Sequence, residues 1–152
     1  MRHYTSQLLC VFYALVAITA LYGTMSENLQ YASSFPRFLA QFPSILPQFL
    51  TDMKANPASR SISIEISLFL LAAAALMVRE AQRIGVLFVW AYIVFAYLIA
   101  ASVTFPLFLI AREIRMASPL PAGPPSRLTT TLDAIGLAIV TAILAGLALW
   151  LH

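Results

Sequence analysis

Charged side chains are scarce in this chain: nine Lys and Arg with six Asp and Glu make up only 10% of 152 residues, where a soluble domain usually carries about 25%. A soluble domain of this size keeps roughly a third of its unfolded-chain surface wet, which so few charges cannot cover. Soluble enzymes, nucleic-acid modules and disordered tails are excluded on that ground. Cysteine is nearly absent too. Cys10 stands alone inside an apolar stretch, so no intrachain disulfide can form. The two histidines, His3 and His152, lie at the ends of the sequence, which leaves no intramembrane imidazole to ligate haem or a metal. With no metal-spaced cluster, no phosphate-binding glycine loop, no nucleophile triad and no internal repeat, we expect no metal and no cofactor.

Apolar residues fill the space that charge leaves. They make up 61% of the chain, mean hydropathy is +0.87, and four stretches approach the roughly 20 apolar residues that a bilayer span needs. These run over residues 7–25, 61–78, 86–111 and 131–151. The expected fold is therefore all-α: one transmembrane domain over residues 1–152, built as a four-helix bundle. A charged start followed by an apolar run could open a secretory signal, but nineteen residues is long for one, and an uncleaved first helix is expected. The net charge of +3 is carried by arginines beside apolar runs, a pattern that anchors and orients a membrane protein. Four crossings put both ends of the sequence on one side. The arginine count does not say which, because number favours one set of loops and density the other.

Between the first two stretches, residues 35–50 carry Phe35, Phe38, Leu39 and Phe42 at helical spacing, and Leu46, Phe49 and Leu50 repeat it. Pro36, Pro43 and Pro47 should cut this segment into short amphipathic pieces lying in the membrane interface, as an anchor or as a lid over a lipid-facing cavity. The tight connection over residues 79–85 makes the second and third stretches antiparallel neighbours. SPLPAGPPS, residues 118–126, reads as an extended linker. Thr130 followed by Asp133 resembles a capping box opening the fourth helix. Ala138, Ala142 and Gly146 form a small-residue stripe fit for close helix packing inside the bundle or with a second protein, a homo-oligomer or a larger membrane complex.

Sorting the charges against the stretches leaves Glu65 as the one inside a span, about one turn below its start. An acid at that depth is either functional or hydrogen-bonded to a neighbour such as Ser61 or Arg60. Glu80 lies fifteen helical residues away, about 22 Å along the axis, so the two acids cannot form one dyad. Pairing of Glu80 with Arg79, Arg83 or Arg112 at the membrane surface is the simpler expectation. On the third stretch, Trp90, Tyr97, Ala101, Thr104 and Phe108 share one helical face, with Tyr13 similarly deep on the first. Such a face can line a ligand cavity between aromatic walls or admit a neighbouring helix.

Asn56-Pro57, Glu65, Arg79-Glu80, Arg83, Gly85, Pro106-Leu107-Phe108-Leu109 and Arg112-Glu113 together resemble a family of small bacterial integral membrane proteins of unknown function. That resemblance covers about 60 residues, and it implies a link, through the family, to the membrane-embedded terpene cyclases. It implies a bacterial inner-membrane location and an isoprenoid-like substrate cyclised or isomerised by acid catalysis. Glu65 and Glu80 would be the acids; Trp90, Tyr97, Thr104 and Tyr13 would contact the substrate. Two other readings stand beside it. One is a non-catalytic subunit of a larger membrane complex. The other is a small proton-coupled transporter using Glu65, for which no broken helix or second acid marks a route. The partners expected are a membrane lipid or isoprenoid, and no nucleic acid.

Overall fold

The computed structural model describes residues 2–31, 34–117 and 127–151, which form six helices. These are α1 (Arg2–Asn28), α2 (Phe35–Asp52), α3 (Pro57–Ile84), α4 (Val89–Leu98), α5 (Ala101–Ala117) and α6 (Arg127–Leu151). The linker 118–126, His152 and the side chains of residues 2–5, 35, 39 and 127–130 lie outside the described residues. Three helices are long and apolar enough to cross a membrane: Ser6–Asn28 in α1, Pro57–Ile84 and Thr131–Leu151 in α6. Their outer faces expose Leu8, Phe12, Ile18, Ile66, Phe69, Ile139 and Ile143. Apolar surface on that scale has no place in water, and it points to a membrane protein.

The axis of the molecule is α3. Asn56 caps its start by accepting a hydrogen bond from the Ser59 amide at 2.9 Å, and Pro57 occupies the first turn, where its missing N–H costs nothing. Its end is set by Gly85, whose left-handed φ of 75° is one a glycine adopts without penalty. α3 thus runs six residues beyond the expected end at 78 and absorbs the supposed connection over 79–85.

The expected third span is not one helix. In a continuous helix Tyr92 and Phe108, sixteen residues apart, would lie about 24 Å apart along the axis. Their ring centroids are instead 5.8 Å apart, edge to face. The chain turns back at Ile99 and Ala100, so α4 and α5 form an antiparallel hairpin. α4 packs back along α3: Val89 and Ile93 join Ala74, Met77, Val78 and Ala81 in one buried cluster, and Ala96 meets Leu70 in a second. α5 then follows α3 in the same direction, with Ala101 near Leu70, Phe108 in the first cluster and Arg112 bonded to Glu80. Leu70 lies midway along the 28-residue α3, so the hairpin tip stops about 20 Å short of either end. The hairpin leaves and returns at one end of the molecule.

α6 runs antiparallel to α3. Asp133 contacts Gln82 at its start, and Lys54 stands 3.6 Å over the Trp150 ring at its finish. α1 leans on α5, with Ser6 bonded to Glu113 and, among its described side chains, only Ala17 nearly fully buried. α1 therefore begins, and α6 ends, at opposite ends of the molecule, in place of the same-side arrangement that four crossings imply.

Two further expectations change. Residues 35–52 form one helix, not short pieces, because Pro43 and Pro47 both sit on its exposed side. The carbonyls that lose their partners there can reach water. α6 starts at Arg127, upstream of Thr130, so Asp133 lies in the second turn and is not a capping-box residue.

Candidate functional site

The end at which α3 and α5 finish collects the buried charge. Glu80 on α3 and Arg112 and Glu113 on α5 reach it from helices that the hairpin has brought into register. Arg112 donates from Nε to Glu80 Oε1 at 2.7 Å and from Nη1 to Glu113 Oε1 at 2.9 Å. Arg83 approaches Glu80 Oε2 at 3.5 Å, and Ser6 donates to Glu113 Oε2 at 3.1 Å. All four carboxylate oxygens are thereby engaged. The acids retain only 13% and 10% side-chain exposure, a depth at which an unpaired carboxylate is costly. Arg115 donates to the Ile84 carbonyl at 3.2 Å and so satisfies an acceptor at the end of α3.

A second polar knot lies on the other side of α3. Asp133 is 6% exposed and accepts from Gln82 Nε2 at 2.7 Å and from Trp90 Nε1 at 2.8 Å. The Trp90 ring lies flush against Gly136, where a Cβ would overlap its carbons. No buried polar side-chain atom lacks a partner among the described residues.

The residues singled out from sequence do not converge. Glu65 faces outward, exposed, and bonds to no described residue, so it shares no polar cluster with Tyr97 or Thr104. The cause is helical phase. Ser67, Leu70, Ala74 and Met77 take the inner face of α3, and Glu65 falls off it. Glu80 pairs with Arg83 and Arg112, as charge at a helix end suggested. Trp90 turns to α6, while Tyr97 near the hairpin tip is 38% exposed. Thr104 is buried and donates to the Ala100 carbonyl at 3.2 Å. Tyr13 stacks edge to face on Phe12 at 5.8 Å. The common face read for Trp90, Tyr97, Ala101, Thr104 and Phe108 is divided by the turn at 99–100. Ala138, Ala142 and Gly146 point away from the bundle, and a Cβ on Gly146 would meet nothing within 4 Å.

Sequence reading gave no site role to Glu113, which it named only within the Arg112-Glu113 pair, and overlooked Gln82 and Ser6. One usable signal was present: an adjacent Arg-Glu pair ending an apolar run needs a partner for its surplus donors, and Glu80 was the acid at hand.

The family described as "Protein of unknown function DUF2834" matches residues 12–114. The chain belongs to this family. The match takes in most of α1, all of α2 to α4 and most of α5, and α6 lies beyond it. Neither a curated protein nor a solved structure matches the chain. Inside the DUF2834 region, the residues that carried the resemblance acquire physical roles. Asn56, Pro57 and Gly85 bound α3, while Glu80, Arg83, Arg112 and Glu113 form the charge cluster that ties α3 to α5.

Proposed function

We propose that the protein is a non-catalytic helical subunit of a larger membrane assembly. What carries this reading is the state of its acids. Glu80, Glu113 and Asp133 have every carboxylate oxygen engaged by a side-chain donor, and Glu65 stands by itself on the outer face. Acid catalysis on an isoprenoid needs an acid that can hand a proton to a bound alkene inside a dry cavity, and proton transport needs a titratable group along a route. The turn at Ile99–Ala100 does interrupt a helix at mid-depth, but Thr104, the buried hydroxyl beside it, is committed to the Ala100 carbonyl. The outward small-residue stripe on α6 offers a helix of a larger subunit a close approach.

The membrane in this reading is a bacterial inner membrane, the location the resemblance implies. With α4–α5 returning to the end it left, six basic residues gather at one end: Arg2, Arg79, Arg83, Arg112, Arg115 and Arg127. Arg37, Lys54 and Arg60 lie at the other. The richer end faces the cytoplasm.

Native mass spectrometry of the protein released from its own membranes tests the assignment. The expected result is a stoichiometric complex with larger membrane subunits that Gly146→Leu disrupts while the isolated fold keeps its stability. Release as a lone chain, together with an isoprenoid-converting activity that Glu65→Gln abolishes, would overturn it.

A further inference from the structure

At the end opposite the arginine cluster, a groove of about 290 Å³ opens between the last turn of α2, Tyr31 beyond α1 and the first turns of α3. Its walls include Tyr31, Phe49, Asp52, Ser59, Ile62 and Ser63. The chemistry of this lining is specific. Asp52 Oδ2 accepts from the Tyr31 hydroxyl at 2.8 Å, yet the carboxylate forms no ion pair with a described residue. Its charge is solvated but not neutralised. The Tyr31 and Phe49 rings meet edge to face at 5.9 Å and present aromatic surface beside that charge, the combination that attracts organic cations. Ser59 and Ser63, one turn apart on α3, add two hydroxyl acceptors on the facing wall, and Ile62 supplies an apolar floor.

We propose that this groove binds a primary alkylammonium group, in the way an ethanolamine head group would present it. A primary ammonium carries three N–H donors, which the groove can match with Asp52, Ser59 and Ser63. A quaternary ammonium has none to offer. The place suits an amphiphile as well. The groove opens where the apolar run of α3 begins, Phe49 of α2 lines it, and Arg60 follows Ser59 in the sequence. This inference is independent of the subunit reading, since an isolated chain would bind the same group.

The test uses the whole chain in nanodiscs of phosphatidylethanolamine, of phosphatidylcholine, or of their mixture, with retained lipid counted by native mass spectrometry. The expected outcome is an ethanolamine preference of about tenfold or more, the effect of one charge-assisted hydrogen bond. Asp52→Asn should erase that preference, while Asp52→Glu keeps part of it. Asp52 is exposed at the end of α2, and circular dichroism confirms that the variants stay folded. Soluble ethanolamine forms the second arm: displacement of the lipid assigns the groove to free amines, and failure to displace assigns it to the lipid head group. Equal retention of both lipids, or a preference that survives in folded Asp52→Asn, overturns the proposal.

Discussion

Placing one methyl group on α6 should unseat Trp90. Gly136→Ala sets a Cβ against the indole ring, overlapping its Cη2 and Cζ2 carbons. The ring cannot swing aside cheaply, because its Nε1 donates to Asp133 at 2.8 Å from the same helix, and its other flank packs on the Ala74, Met77, Val78 and Ile93 cluster. Overpacking of this kind costs about 1–3 kcal/mol. Stretching a hydrogen bond to a buried carboxylate adds up to about 1.5–3 kcal/mol. The intrinsic helix preference of Ala over Gly opposes these terms by about 1 kcal/mol, so the net should fall between about 0 and 5 kcal/mol of destabilisation. Gly146 on the same helix supplies the control, since a Cβ there meets nothing within 4 Å. Gly146→Ala should be neutral or stabilising by up to about 1 kcal/mol. Reversible unfolding in mixed detergent micelles, followed by circular dichroism, measures both. In a Trp150→Phe background the remaining indole is Trp90, and its emission should report the displacement. If Gly136→Ala proves as stable as Gly146→Ala, Trp90 of α4 does not pack on α6 at Gly136.

Arg112→Ala should cost about 3–5 kcal/mol, because it strands the buried Glu80 and Glu113 carboxylates together; adding Glu80→Gln and Glu113→Gln should recover a good part in the same unfolding assay. A single variant no less stable than the parent would mean that the cluster contributes nothing to the fold. Tyr31 has its hydroxyl pKa raised above the ordinary 10, first by the hydrogen bond to Asp52, then by burial and the Asp52 charge. Its folded form holds the proton more tightly than its unfolded form. That contribution is complete below pH 10 and fades as pH climbs through the raised value. Ultraviolet titration of the phenol should show Asp52→Asn bringing it back toward 10, and an unchanged titration would refute the Tyr31–Asp52 contact.

Three of the four apolar stretches were legible as spans because each holds one axis through a membrane thickness, and the limits of α3 were written in Asn56, Pro57 and Gly85. The hairpin was not legible. Residues 86–111 are apolar all round, so no face tells a straight helix from a folded one, and neither Ile99 nor Ala100 is a helix breaker. Pro106, the one breaker nearby, lies inside α5 and leaves the Ser102 carbonyl without its helical donor. What turns the chain is tertiary: Val89, Ile93 and Ala96 on one limb and Phe108 on the other each find a buried place along α3. α2 was misjudged for a related reason, since its prolines break a helix only when the bonds they remove cannot be replaced by water. Glu65 attracted attention through its depth in the sequence, but depth says nothing about phase. Asp133 looked like a cap because the start of α6 at Arg127 has no apolar periodicity to mark it.

The proposed topology has three crossings, with α4 and α5 entering and leaving at one end beside the three helices long and apolar enough to cross a membrane. Its most direct test is a dual reporter measurement, with a periplasm-active enzyme and a cytoplasm-active fluorophore fused in turn to each end of the chain. Three crossings, in the proposed bacterial inner membrane with the arginine-rich end inside, predict that the α1 end reports cytoplasm and the α6 end reports periplasm. Both ends reporting the same compartment would contradict the hairpin and restore four crossings.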